Sequence, residues 1–395
     1  RHGTSNARLT SLVFQRDTSA WYHIVVMQDT TQSTDTNRTK IYINGTLLLP
    51  ADLDYDQYPT QNADTAMHVL NSRVAIGAQA DGGYPWSGYI ADVHLLDGQT
   101  GKTPSDFAEY DDDSGIWKPK AYTGAYGTNG FHLKFEDSSN MGLDSSGNGN
   151  NLTSNNISAA DQATDTPTNN FAVFSQSMQD YYQDLWSVIS EGGTKFRCTE
   201  FDAWITAVSS IGVTSGKWYA EFKLTGARPN NMLGIASLDQ LQNQDSHLGK
   251  NGHKWGIGFY QANGNLYKVQ NSGYSLTSGW GSTISQNQTV GIAVDMDNHN
   301  LYIAINNTYQ NSGVPTSGAT GTGAISFDDT ETVAIATSGY SLGSGNDTIL
   351  EANFGGFSAT STGFTNTDAN GYGTFAYAPP SGYYALCTKN LEEFG

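Results

Sequence analysis

Short runs rich in Val, Ile, Tyr, Phe and Trp recur along this chain about every 10 to 20 residues, with Gly, Asn, Asp or Ser between them. The first are Ala7–Gln15 and Trp21–Gln28, the latter (WYHIVVMQ) densely β-branched and aromatic. Thr39–Asn44 (TKIYIN) alternates and then meets Asn44-Gly45, a dipeptide suited to a two-residue hairpin turn because both central positions need positive φ. Arg73–Gly77 and Tyr89–Leu96 follow. Later runs are denser: Lys217–Leu224, Met232–Ser237, Trp255–Tyr260, Asn265–Val269, Thr289–Asp295, Leu301–Ile305, Thr332–Thr337, Ile349–Phe354 and Tyr383–Cys387. Turn chemistry at this spacing favours antiparallel sandwiches over βαβ units. One helical turn is expected at Pro104–Glu109, with Pro at its start, and a short helix at Tyr181–Ser190.

Composition closes off other classes. Hydrophobic residues make up 37% and aromatics 12% of the chain, too much for a disordered segment. Runs of Leu, Lys, Glu and Ala are scarce, so long helices are not expected. The formal net charge is −19 with no Lys/Arg cluster to offset it, so nucleic-acid phosphate would be repelled. No apolar run is long enough to span a bilayer. Cys198 and Cys387 are too few for a disulfide framework; a single bridge and two buried thiols fit equally. The chain opens on RHGTSNARLTSLVF without an initiator Met, and a piece of a longer protein is expected.

The runs fall into two groups, which predicts an all-β chain of two β-sandwiches in tandem. The first spans 1–108 and the second 171–395. Between them, 109–170 reads as a polar linker carrying one strand, FHLKF at 131–135, with Asp137–Asn170 the most polar part of the chain.

Residues 19–97 resemble a concanavalin A-like, laminin-G-type module, a jelly-roll sandwich. SAWYHIVVMQDTT (19–31), KIYINGTLL (40–48), SRVAIGAQ (72–79) and WSGYIADVHLLDGQ (86–99) carry that resemblance. The family's opening strands are missing. They are expected from chain outside this sequence, from a partner, or from 131–135 lying beside the first visible strands. Residues 210–390 resemble an SPRY domain through SGKWYAEFKL (215–224), LGIAS (233–237), WGIGFYQANGNLY (255–267), TVGIAVDMDNHNLYIAIN (289–306) and EANFG (351–355). A Thr/Gly-rich insertion at 356–374 departs from that pattern. The linker, with GIWKPKAYTGAYGTNGF (115–131) and DSSGNGNNLTSNNISAADQATDTPTNNF (144–171), resembles that of tail-fibre-like structural proteins of marine bacteriophages, which join lectin-like and SPRY modules in this order.

Catalytic patterns are few. Gly339-Tyr340-Ser341-Leu342-Gly343 fits GxSxG, but a nucleophile elbow needs a helix after the Ser, and a loop and strand are expected here. Gly101-Lys102-Thr103 lacks the upstream Gly of a phosphate loop, where Leu96 stands. No tight metal spacing links the histidines, and His23 and His94 read as satisfied residues on strands. Glycanases on the concanavalin fold need carboxylates two apart on one strand, and E-x-D-x-E is absent. The nearest pair, Asp295/Asp297, suits a turn.

Two kinds of binding residue stand out. Asp52, Asp54, Asp56, Asn62 and Asp64 are oxygen donors within one expected loop, the kind of set that holds calcium. The run Asp144–Asn150 alternates such donors with Gly, and Asx turns explain both runs without a metal. Tyr84 and Trp86 lie in DGGYPWSG, and Tyr274 and Trp280 in SGYSLTSGWGST. An aromatic ring in a Gly-rich loop can stack on a pyranose face, or pack at a subunit interface. Trp21, Trp218 and Trp255 read as core.

The resemblances imply a non-catalytic protein of a virion surface, a tail fibre or adhesin that binds host-surface glycan or neighbouring virion proteins. A purely structural capsid decoration or tail component is the alternative, and a concanavalin-type glycoside hydrolase is a third that the missing carboxylates disfavour. Calcium is the one cofactor entertained, and neither nucleic acid nor membrane insertion is expected. Symmetric assembly is usual for such proteins, so a homo-oligomer such as a trimer is expected.

Overall fold

Successive residues of a strand point to opposite faces, so the alternation of Trp218, Ala220, Phe222 and Leu224 commits one face of that segment to a core. A computed structural model describes residues 8–395 except 14, 16, 18, 65–74, 79–81, 85, 87, 113–114, 176–186, 200–201, 240–245, 253, 272, 329–330, 343–346 and 357–362. The chain divides into two compact units. One comprises Arg1–Arg16 and Ala20–Gln162, the other Asp17–Ser19 and Ala163–Gly395.

The described strands of the first unit are β1 (Arg8–Ser11), β2 (Ile24–Gln28), β3 (Thr39–Ile43), β4 (Thr46–Leu47), β5 (Leu53–Gln57), β6 (Val93–Leu95), β7 (Ala108–Tyr110), β8 (Trp117–Pro119) and β9 (Phe131–Leu133). They pair as β1-β5, β2-β3-β4, β6-β9 and β7-β8, all antiparallel. The β3–β4 hairpin turns on Asn44 (φ 47°) and Gly45 (φ 80°), as the dipeptide predicts. The expected strand Tyr89–Leu96 shrinks to β6 because Asp92 takes a φ of 52°, outside extended backbone. Arg73–Gly77 lies partly outside the described residues, and Ala75–Gly77 form no strand.

FHLKF pairs with β6 and not with the chain's first strands. The stretch expected as a linker is ordered by its own bonds. Its β7–β8 hairpin brackets an acidic turn, and Gln162 donates to the carbonyls of Phe135 and Glu136. The compact units therefore divide between Gln162 and Ala163. Polar composition suggested a free linker because Asn, Ser and Asp side chains, which here bond the backbone locally, leave no apolar periodicity to read. Pro104–Asp106 forms the expected helical turn, as a 3-10 helix.

The second unit holds β10 (Ser187–Ser190), β11 (Lys195–Cys198), β12 (Ala203–Val208), β13 (Lys217–Leu224), β14 (Asn231–Ser237), β15 (Gly256–Tyr260), β16 (Leu266–Gln270) and β17 (Gly273–Thr277). It continues with β18 (Thr289–Asp295), β19 (Asn300–Ile305), β20 (Thr308–Tyr309), β21 (Ile325–Ser326), β22 (Val333–Ser341), β23 (Thr348–Asn353), β24 (Tyr384–Ala385) and the helix α1 (Thr388–Phe394). Tyr181–Ser190 was expected to be helical. Its residues 181–186 lie outside the described set, and Ser187–Ser190 form β10, where cross-strand pairing with β11 overrides a weak helical preference.

Two sheets make a β-sandwich. One runs β10-β11-β23-β13-β18-β19-β20, with β21 and β24 on its margins, and the other β12-β22-β14-β15-β16-β17. Trp218, Phe222, Ile292, Ile303 and Leu350 of the first sheet and Ile205, Leu233, Ile257, Phe259 and Ile335 of the second share one continuous buried cluster. Residues 372–387 cover the other face of the larger sheet. Phe375, Tyr383, Ala385 and Cys387 pack with Tyr219, Ala293 and Tyr302 there. Glu221 accepts the backbone N–H groups of Ala376 and Tyr377, and Asp368 those of Tyr372 and Ala385. Residues 375–387, which follow the insertion, thus seal a sheet face, and Asp368 of the insertion ties to them through the Ala385 N–H. Cys198 and Cys387 are both buried.

Candidate functional site

The four aromatics singled out as ligand contacts have different fates. Tyr84 is 89% exposed with a φ of 50°, a conformation bulky residues rarely hold, and Trp86 is 54% exposed. Tyr274 belongs to edge strand β17 and not to a loop, at 40% exposure. Trp280 is partly buried and packs on the core, its ring roughly perpendicular to that of Phe259 with centroids 5.7 Å apart.

A larger aromatic group gathers on the outer face of the six-stranded sheet. Trp204 on β12 lies directly opposite Tyr340 on β22, with ring centroids 5.4 Å apart. Tyr260, at the end of β15, lies 5.8 Å from Trp204. His247 stands edge-on to both Trp204 (5.0 Å) and Tyr267 of β16 (5.2 Å). All five are partly exposed. Polar groups fix the rim: the Tyr260 hydroxyl donates to Asn230 Oδ1 at 3.1 Å, and the Tyr340 hydroxyl bonds Asp202. Burial, then neighbouring Tyr267, pushes the Tyr260 phenol above its ordinary range, so it stays a donor. The residues around 247 are held by Leu248 N–H to Ser338 Oγ and by Thr206 Oγ1 to the Ser246 carbonyl, each at 3.0 Å. The result is a preorganised set of half-exposed rings edged by amide and carboxylate oxygens. Sequence reading missed it because Ala203–Val208 (AWITAV) was not recognised as a strand. Its Trp–Thr alternation with Ile and Ala was the available signal.

In the first unit, β6 and β9 bring two histidines together. His94 and His132 are directly opposed, their rings stacked at a centroid distance of 4.0 Å. Asp92, two residues before His94, turns its carboxylate onto both: Oδ1 lies 2.5 Å from His132 Nε2, and Oδ2 3.4 Å from His94 Nε2. Burial alone would raise the Asp92 pKa. The hydrogen bonds and charge of the two imidazoles outweigh it and bring the value down to about 2. The Tyr126 hydroxyl is 2.8 Å from His94 Nδ1, and burial followed by the Asp92 charge pushes that phenol up to about 12. Phe107 and Tyr122 complete the aromatic wall around His94. His23 is engaged elsewhere, its Nδ1 accepting from Trp117 Nε1 at 3.0 Å.

The residues expected to hold calcium are spread over several elements. Asp52 ends a 3-10 turn and accepts the Leu49 N–H at 2.8 Å, and Asp54 and Asp56 lie on β5. Asn62 sits in a left-handed turn, and Asp64 follows in irregular backbone. Among the described residues, these carboxylates form no close donor group; Asp92, His94 and His132 do. Asp144 is saturated by His132 N–H, Ser146 N–H and Oγ, and Asn150 N–H, at 2.8–2.9 Å. That is the Asx-type loop closure the run 144–150 suggests. Ser341 of the GxSxG match ends strand β22, fully buried, with its hydroxyl 3.3 Å from Asp347. Asp295 pairs with Lys217 across the β13–β18 ladder at 3.0 Å and closes a turn by accepting the Asn298 N–H at 3.0 Å, and Asp297 accepts the Gly216 N–H.

No family model and no curated protein matches the chain. Among solved structures it is similar to the SPRY domain of human HERC1, at 14% identity and a TM-score of 0.32, over 42% of this chain and 91% of that one. A likeness this distant adds no weight to the fold, which rests on the strand pairing above.

Proposed function

We propose that this chain is a non-catalytic recognition protein of a bacteriophage virion surface, binding host-surface glycan through the aromatic group around Trp204. The observation that carries this reading is the gathering of Trp204, Tyr260, Tyr267, Tyr340 and His247 on one sheet face, with Asn230 and Asp202 at its rim. Sugar sites combine an aromatic face for the apolar side of a pyranose with fixed polar groups for its hydroxyls. Tyr84 and Trp86 are a second exposed aromatic pair of the same kind. The phage assignment rests on the resemblance of the two modules and the segment between them to tail-fibre-like proteins. Assembly as a homo-oligomer, with a trimer as the expected form, would multiply weak sites into useful avidity.

Glycan-array binding by the full chain, followed by titration under tryptophan fluorescence, tests the reading. Trp204→Ala is expected to weaken binding about tenfold, the loss of one ring contact. Absence of binding to every glycan at millimolar concentration would overturn it. A purely structural role, packing against neighbouring virion proteins, is favoured by one feature: Ile24 and Val26 project exposed from β2. Cross-linking within assembled particles that captures neighbours at β2, with no glycan bound, would support that alternative.

A further inference from the structure

We propose that Asp92, His94 and His132 bind a divalent transition metal of the zinc class, which ties β6 to β9 in the first unit. The three side chains offer one ligand atom each, all within 4.8 Å of one another. Their chemistry selects the ion. Two imidazole nitrogens and one carboxylate oxygen suit zinc and its neighbours, whereas calcium and magnesium take six or more oxygens and leave imidazole aside.

The surroundings are those of a built site. In the His94 and His132 side chains only 11% and 14% of the surface is exposed, so few waters compete for their nitrogens. Asp92 keeps 38%, which leaves a route for the ion and room for a water as fourth ligand. Tyr126 sits at His94 Nδ1, the nitrogen facing away from the group. A metal on Nε2 requires the proton on Nδ1, and the phenol oxygen is placed to accept it. His132 is anchored through its backbone N–H, which donates to Asp144. The Asp92 backbone holds a left-handed φ of 52°, an unfavourable conformation for a non-glycine residue. It swings the carboxylate onto both rings.

The placement also gives the ion a purpose. Strands β6 and β9 are three residues each and have no other strand neighbour among the described residues than each other, and His94↔His132 is their central pair. An ion bridging that pair would replace the short hydrogen bond between His132 and Asp92 by three coordinate bonds. It would also fix Asp92, outside the strand, to both strands.

The test uses the full chain stripped with a chelator. Zinc is titrated in by calorimetry and by competition with a chromophoric chelator, with calcium as the control. One zinc per chain is expected, and calcium is not expected to displace it. At a hundredfold excess over the dissociation constant, melting of the first unit is expected to rise by roughly 5–10 °C. Cobalt substituted for zinc reports donor type and geometry through its visible spectrum. His132→Gln and Asp92→Asn should each abolish stoichiometric binding. Circular dichroism then separates loss of ligand from loss of fold. Failure of the wild-type chain to bind zinc at one per chain overturns the proposal. So does unchanged binding in a folded His94→Gln/His132→Gln double variant.

Discussion

Strand β13 of the second unit buries Trp218, Ala220, Phe222 and Leu224 in a core shared with a six-stranded sheet, while Tyr219 on its other face meets Phe375, Tyr383 and Cys387. Strand β6 of the first unit is three residues long, breaks at Asp92 and, among the described residues, pairs with β9 alone. The difference runs through both units. One is held by opposed apolar sheet faces. The other has few buried apolar side chains among its described residues (Phe107, Ala108, Tyr126, Leu133 and Met141) and leans on polar side chains that bond backbone, such as Asp144. Apolar burial gives a cooperative interior, whereas stability from individual hydrogen bonds is modest per bond and costly where a buried partner is lost.

The contrast can be broken most severely at Phe222. Phe222→Ala empties a fully buried site between the sheets and is expected to cost about 3–5 kcal/mol in urea denaturation of the second unit. A loss under about 1 kcal/mol would mean that the core tolerates a cavity and is not the main support. Asp144→Ala strips four hydrogen-bond donors of their acceptor and is expected to cost about 2 kcal/mol. That loss should fall in the first unit only, with the second-unit transition unmoved.

The smallest effect sharpens the exception within the second unit, the carboxylate of Glu221 on the covered face. Burial pushes its pKa above 4.5, against the opposing hydrogen bonds from Ala376, Tyr377, Tyr219 and Asn353. A carboxyl whose folded pKa exceeds its unfolded one favours the folded state when protonated. That stability is full below about pH 4.5 and is lost as pH rises through the raised folded value. Glu221→Gln should flatten this slope in denaturation curves measured from pH 4.5 towards neutrality, while an unaltered slope would assign it to other groups.

Where the pattern is repetitive, the fold was readable. Lys217–Leu224 and Thr289–Asp295 are strands to the residue, since dense alternation leaves no other use for their apolar faces. The Asn44-Gly45 turn was equally plain. Polar order was not readable, because Asp144 and its partners carry no periodicity and their bonds depend on where the chain returns. The candidate sites show the same limit. Trp280 stood in a Gly-rich loop and still packed on the core, while Trp204 acquires its neighbours from β15, β22 and the loop at His247. Asp92 and His94 were two apart on an expected strand, a visible hint. His132 joined them only because FHLKF pairs with β6, and nothing local specifies that pairing.

Native-state hydrogen exchange on the full chain, resolved by peptide, tests the central contrast most directly. The account predicts the slowest exchange in β13, β14, β18 and β22, at the level of global unfolding, and exchange faster by orders of magnitude in β6 and β9. Protection of β6 and β9 equal to that of β13 and β18 would contradict it, because the first unit would then possess a cooperative core of its own.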